Sequence, residues 1–566
     1  MSLTVVAGVA CLGAISVPAQ DAASTPDTTE KTLQRLIDRI DQMQREHAQE
    51  MEQIRHDYQE RIDSMESQMK SLKTKVDSTS LIAPPTTADG KQLSLEAPVS
   101  YDLPPLETFT RNFRFGGYIR AGVGFTGNGV GQTSSFQLPE FGTGRFRLGN
   151  ENDTYSELVF NQFHLLGEHP EDIDATFRTK IAIVNGIDKR DGVFSQAAGW
   201  DIGLVEMFGS FKNVIKNAPD VTFWAGERQY DQSDIHGSDY SVLNAGGYGA
   251  GAYNMDVGIG NLGIAYFGSI KSGFGNAQSD SFRQFLFDTS AGEGSLYRHT
   301  LDLRVADIKF LAGKLKLVAL GSYQQGGDFT ISDGGKGHVK DSFGLAGAAS
   351  YIYEFGKASF LNLNAYYGWG VVNAATNIES GVDMDKLNGA YQSALLRDGL
   401  PTGSRVDVDP YNNSLRARAS AHFVWNARDD FSVATWAMYQ HDDQGYTSYQ
   451  DVDGSVLNTS GTSDVFGVGV RPIWWVWGNL AIQGQMGYAY VNNVRHGDGF
   501  GNSGSMGVFT IAPTIKQRGG QFTRPELRLY ATYSLWDDSL KGAVGGPYYS
   551  NATEGWNCGL QFETWF

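Results

Sequence analysis

The sequence predicts an all-β fold, an antiparallel transmembrane β-barrel of about 18 strands, preceded by an α-helical coiled coil. Three observations predict it. Residues 526–535 and 559–566 alternate strictly between apolar and polar, the period-two signature of a strand. In the first stretch Leu527, Leu529, Ala531, Tyr533 and Leu535 share one face and Arg528, Tyr530, Thr532 and Ser534 the other. In the second, Leu560, Phe562 and Phe566 oppose Gln561, Glu563 and Trp565, and a chain that ends on an exposed Phe calls for lipid around it. Composition is the second observation: 41% apolar and 12% aromatic, with 69 Gly and 16 Pro. That is too polar for a helical membrane protein, but membrane strands turn only every second residue to lipid and gather rings into interfacial girdles. Third, no run of about 18 apolar residues occurs past the N-terminus, so helical spans are excluded.

Residues 4–19 form an apolar stretch ending in Val17-Pro18-Ala19, a signal peptide over 1–19 with cleavage expected near Gln20. Met1-Ser2-Leu3 lacks the usual basic region, so the expected translation start lies upstream. Beyond Cys11 only Cys558 remains, which gives no intrachain disulfide, zinc or redox motif. Residues 31–79 contain no Gly or Pro and carry Leu33, Leu36, Ile40, Met43, His47, Met51, Ile54, Tyr58, Ile62, Met65, Met69, Leu72 and Val76. These spacings, mostly alternating three and four, predict a coiled-coil seam. Residues 80–109, with Pro84-Pro85, Pro98 and Pro104-Pro105, read as an extended linker. The barrel is then expected over 110–566, with short turns on one rim, such as Trp477-Gly478-Asn479-Leu480, and long loops on the other, such as the Gly/Asn/Asp-rich 371–411.

The parity of the first strand puts Phe113, Phe115, Ile119, Val123 and Phe125 outward, leaving Arg114, Tyr118 and Arg120 in the lumen. Arg147, Tyr155 and Glu157 have the parity to join them. Guanidinium and carboxylate groups beside rings suit sugars, whose hydroxyls need hydrogen bonds and whose C–H faces stack on aromatics. Opposed lumen charges are equally the ordinary furniture of an unselective porin.

Collinear segments carry a family resemblance. They are Gly117-Tyr118-Ile119-Arg120-Ala121-Gly122, Arg147-Leu148-Gly149-Asn150-Glu151 with Thr154-Tyr155-Ser156-Glu157, Trp224-Ala225-Gly226-Glu227-Arg228 through Asp234-Ile235-His236, Gly469-Val470-Arg471-Pro472 and Arg524-Pro525. Over about 110–566 the chain resembles the sugar-specific porins typified by maltoporin, and its layout is closest to the sucrose-porin branch with an N-terminal coiled coil. The resemblance implies a homotrimer of 18-stranded barrels in the Gram-negative outer membrane, with the coiled coil in the periplasm and passive sugar diffusion along aromatic rings. Carried over, the aromatic slide comprises Tyr118, Tyr155, Phe522 and Trp565, and the polar track Arg120, Arg147, Glu157, Asp234 and Asp239. The constriction falls at Gln232, Tyr240 and Ser241. Trp200 stands for the ring that a neighbouring subunit supplies. Gln232 replaces a family Arg and Ser241 a family Tyr, with Tyr240 adjacent, changes expected to widen or discharge the eyelet. The family's first-loop disulfide has no cysteines here.

The expected partners are sugars, outer-membrane lipid, two further copies of the chain, and a cell-wall or periplasmic component reached through 31–79. A net charge of −18 argues against nucleic acid. No nucleophile-elbow motif surrounds Asp234, His236 or Ser238, so catalysis is not expected, and no cofactor or metal motif occurs. The alternatives are a general porin without selectivity, or an envelope spacer or secretion conduit in which the coiled coil is the working part.

Overall fold

The computed structural model describes residues 112–566, except 128, 130, 133–134, 139–145, 152–153, 167–168, 170–171, 186–194, 198–199, 239, 272–295, 331–335, 357, 372–383, 410, 412, 444, 446–447, 451–455, 459–461 and 497–498. The expected signal peptide, coiled coil and linker lie outside the described residues. The barrel strands are β1 (Phe113–Thr126), β2 (Thr154–Gln162), β3 (Asp174–Asn185), β4 (Trp200–Lys212), β5 (Thr222–Ile235), β6 (Tyr240–Asp256), β7 (Asn261–Lys271), β8 (Leu296–Phe310), β9 (Gly313–Gln324), β10 (Ser342–Glu354), β11 (Phe360–Gly370), β12 (Leu415–Arg428), β13 (Phe431–Asp443), β14 (Thr462–Trp477), β15 (Leu480–His496), β16 (Gly499–Lys516), β17 (Glu526–Trp536) and β18 (Glu554–Trp565). Each pairs antiparallel with its neighbours, and the three-residue strand Ser195–Ala197 pairs with β4 alone. Closure comes from β1, which pairs with β2 on one side and β18 on the other. The expected 18-stranded antiparallel barrel is therefore present.

Polarity is inverted relative to a water-soluble core. On β17 Leu529 is 55% exposed and Leu535 47%, whereas Arg528 is 3% and Thr532 1% exposed. Outward side chains meet lipid, and the polar groups turn to one another inside. Turns on one rim are short, as at Leu311 and at Gly478, whose φ of 51° suits a residue without Cβ. Connections on the other rim are long.

Three segments fill the lumen. The described part of the first connection, between β1 and β2, lies against β15–β18. Phe136 packs on Trp536 and Tyr549 at 5.9 and 5.5 Å, and Leu148 is buried with Ala512 and Tyr530. Gly487 makes room for this segment, because a Cβ there would sit 2.3 Å from the Phe146 ring. The second is the tip of the β5–β6 hairpin, which register shifts at Gln229/Asp231 and Ser233/Asp234 bend out of the wall. Its Ile235, Tyr240, Val242 and Leu243 join one buried cluster with Val318, Tyr366, Trp436 and Met438 of β9, β11 and β13. Arg418 donates to the Ser241 carbonyl at 3.2 Å, and Gly237 lies beneath the Trp436 ring. The third, 517–525, joins β16 to β17. The Gln521 backbone N–H donates to Asn426 Oδ1 at 3.1 Å, the Ser432 hydroxyl donates to Gln521 Oε1 at 3.2 Å, and Lys516 Nζ donates to the Thr523 carbonyl at 2.6 Å.

The stretch 371–411 departs from its reading as an irregular loop. It contains α1 (Met384–Asp398) and a strand, Arg405–Val408, in a three-stranded sheet with Gly327–Thr330 and Lys336–Val339. Ala390, Tyr391, Ala394 and Leu395 give the helix one apolar face, buried against Val339, Val406, Val408 and Tyr411. Gly399 closes it at φ 63°, with the Leu400 N–H donating to the Leu395 carbonyl at 2.9 Å. The Gly and Asp residues around the segment mask a four-residue apolar spacing too short to stand out in the sequence.

Gly487→Leu tests the anchoring of the first connection. The barrel is expected to keep its folded, heat-modifiable electrophoretic mobility, while limited proteolysis cuts within 127–151 and single-channel conductance rises. Unchanged digestion and conductance would show that this segment is not held by the wall.

Candidate functional site

The site begins at the seam between the first and last strands. Register places Tyr118 opposite Trp565 and Arg120 opposite Glu563 on β18, and opposite Glu157 and Tyr155 on β2. Because parity turns all of these side chains inward, rings from both chain ends meet. Tyr118 lies 5.9 Å from Tyr155 and 6.4 Å from Trp565, the latter pair stacked at 25°. The line continues through His236 of the hairpin tip, edge-on to Trp565 at 5.5 Å and to Phe522 at 6.1 Å. Phe522 then stacks on Phe360 at 6.2 Å and 11°, with His422 edge-on to both. These rings come from β1, β2, β18, β11, β12 and two of the lumen-filling segments.

A charged network runs beside the rings. Glu151 accepts from Arg120 at 2.8 Å and from Arg147 at 3.0 Å, and Arg147 also reaches the Tyr118 hydroxyl at 3.1 Å. The Tyr118 hydroxyl donates to Glu563 Oε1 at 2.8 Å. Glu563 is further held by Arg528 at 2.7 Å and Arg524 at 3.3 Å, and Arg524 lies 4.0 Å over the Trp565 ring. Arg528 also pairs with Glu526, which holds Lys516 at 3.0 Å. His236 is wedged among these groups, with Nδ1 3.1 Å from Arg147 and Nε2 3.3 Å from both Arg524 and Glu563. Glu563 side-chain exposure is 3%, so it balances two guanidiniums away from bulk water.

Tyr118, Tyr155, Phe522 and Trp565 thus lie on one ring line, and Arg120 and Arg147 lie beside it. Glu157 accepts from the Tyr155 hydroxyl and pairs with Lys180 at 3.5 Å, one strand further round. Asp234 is exposed on the hairpin. Tyr240 is 3% exposed and donates to the Tyr439 carbonyl at 3.3 Å, so its ring lies with the far wall and apart from the line. The Ser241 carbonyl accepts from Arg418. The backbone of Gln232 pairs with Asn244, while its side chain, Asp239 and the Trp200 side chain lie outside the described residues. Val205 packs against the Tyr155 cluster.

Sequence reasoning passed over His236, Phe360 and His422 as ring partners, and Glu151 and Glu563 as the carboxylates of the network. Glu563 was legible from its parity with Trp565; Phe360 and His422 carry no local signal, because only barrel closure brings them to Phe522. A second ring group was also missed: Arg228 lies 4.6, 5.2, 5.3 and 5.1 Å from the rings of Phe208, Trp224, Tyr230 and Tyr253. Beyond it Asp231 accepts from Arg304 and Lys316, each at 2.7 Å.

Glu563→Gln removes the charge shared by Arg524 and Arg528. A loss of about 3 kcal/mol is expected for leaving a buried charge uncompensated, seen as a lower temperature for conversion from folded to unfolded mobility on electrophoresis. An unchanged conversion temperature would place that network in a water-like environment.

Several solved outer-membrane proteins are similar in fold. OpdK of Pseudomonas aeruginosa is 10% identical, with a TM-score of 0.39 over 81% of this chain and 99% of its own. OmpT of Vibrio cholerae is 9% identical, with a TM-score of 0.34 over 80% and 99%, and OmpF of Salmonella typhi, solved with daunomycin, is 11% identical, with a TM-score of 0.34 over 80% and 97%. The model of the LamB porin family matches residues 113–566, the barrel from its first strand to its last residue, and the chain belongs to that family of outer-membrane channels.

Proposed function

We propose that this porin is selective for carbohydrate and passes di- or oligosaccharides by passive diffusion. The observation that carries the reading is the run of rings Tyr155, Tyr118, Trp565, His236, Phe522 and Phe360 at centroid spacings of 5.5 to 6.4 Å. A pyranose has two apolar faces and a polar edge. Rings at such spacing let it slide from one stacking partner to the next with little change in energy, while Arg120, Arg147, Glu151 and Glu157 exchange hydrogen bonds with its hydroxyls. A channel gains flux from sites that bind weakly and repeatedly, since occupancy rises without trapping.

In this reading Tyr118, Tyr155, Phe522 and Trp565 are the slide, and Arg120, Arg147, Glu157, Asp234 and Asp239 the polar track. Gln232, Tyr240 and Ser241 set the width of the constriction. Three chains associate as a homotrimer. The 31–79 segment is a periplasmic coiled coil that aids assembly or reaches a periplasmic or cell-wall partner.

Conductance of the purified protein in a planar bilayer, titrated with mono-, di- and oligosaccharides, tests the proposal. Saturable block by one class is expected, and channels indifferent to every sugar would make this a general porin. Tyr118→Ala, Tyr155→Ala and Trp565→Ala are each expected to weaken block by about fivefold, corresponding to about 1 kcal/mol per ring, without loss of ion conductance. Unchanged block in all three would remove the slide assignment.

A further inference from the structure

We infer that the lumen favours anionic solutes, and that the saccharides it carries bear a carboxylate; the second part rests on the sugar reading above. The whole chain carries a formal charge of −18, but the network around the hairpin tip has the opposite balance. Six basic side chains, Arg120, Arg147, Arg471, Lys516, Arg524 and Arg528, face three carboxylates, Glu151, Glu526 and Glu563. Asp234, exposed on the hairpin itself, makes a fourth, and the basic side chains remain in excess.

Arg471, Arg418 and Arg228 are lumen guanidiniums with no carboxylate within 4.0 Å among the described residues. Arg471 is held by Gln485 at 2.8 Å and by the Gly237 carbonyl at 3.2 Å. Arg418 is held by Gln440 at 2.8 Å and the Ser241 carbonyl at 3.2 Å. Arg228 lies among four rings, and its Nη1 is buried with no acceptor. An amide or carbonyl satisfies an N–H group, but it does not cancel the charge. In a narrow channel with low-dielectric walls, uncancelled charges add to a positive potential that concentrates anions and repels cations.

Arg471 and Arg418 hold the tip of the hairpin, and Arg228 lies midway along its first strand. A solute passing along the hairpin meets the field of Arg471 and Arg418 at its tip and of Arg228 further along the strand. Arg228 is half-buried, and its Nη1 is enclosed among the rings with no acceptor. A guanidinium fork matches the planar carboxylate with two parallel hydrogen bonds. The neighbouring rings of Tyr230 and Tyr253 are only partly buried and offer apolar surface to the sugar that carries it. A uronic-acid residue combines these properties.

The full chain in a planar bilayer under a potassium chloride gradient tests the first part. The reversal potential is expected to show chloride preferred over potassium, with Arg228→Gln lowering the preference. A potassium-selective or unselective wild-type channel would overturn the inference whatever the variant does. Titration with digalacturonate and with uncharged digalactose of the same linkage tests the second part. The acidic sugar is expected to block at concentrations about tenfold lower at low ionic strength, with the gap closing as salt rises. Equal block, or block by the uncharged disaccharide alone, would overturn the carboxylate preference and leave the sugar reading intact. Block by neither would overturn the sugar reading, and the reversal potential would still decide ion selectivity.

Discussion

The pairing of the last strand with the first is the constraint on which the site depends. Until β18 joins β1, Tyr118 and Trp565 are more than four hundred residues apart in sequence, and Glu563 has no reason to meet Arg120 or the Tyr118 hydroxyl. Once the seam closes, antiparallel register sets which residues are opposite, and the pleat sets which of them face inward. The stacked pair, the Glu563 network and the support for Arg524 all follow from this one register. A slip of one residue would turn Trp565 and Glu563 to lipid and Phe562 and Phe566 to the lumen.

A barrel of eighteen strands is too wide for its walls alone to bind a small solute. The chain narrows it with three insertions, each held by a different device. The first connection is fastened by apolar packing under Trp536 and Tyr549 and in the space at Gly487. The hairpin tip is fastened by Trp436 and by arginines donating to its carbonyls, and the 517–525 turn by Asn426, Ser432 and Lys516. Their meeting point is the ring line. The pinch is thus built by folding loops onto rigid strands, which fixes its side chains more firmly than exposed loops could.

Much of this was legible in sequence because a membrane strand writes its two environments in alternate residues. Parity alone put Tyr118, Arg120 and Trp565 inside and Phe115, Val123 and Leu529 outside, and all are so placed. Parity also offered Arg147, Tyr155 and Glu157, and the resemblance added Phe522, whose turn position would not have singled it out. Contacts across the lumen were not legible. His236, Phe360 and His422 sit on different elements, and nothing local marks them as neighbours of Phe522. Helix α1 was missed because its apolar spacing spans only two turns amid loop-like residues. Gln232 and Ser241, which the resemblance sets against a family Arg and Tyr, both fall on the bent hairpin, where register shifts weaken any argument from spacing.

A structure of the purified protein with a disaccharide bound would test the central claim, that solute is carried along the rings gathered at the seam. The account predicts a sugar ring stacked about 4 Å from Trp565 or Tyr118, with its hydroxyls bonded to Arg147 and Glu151. A sugar bound away from the seam, with the Tyr155-to-Phe360 line bare, would contradict it.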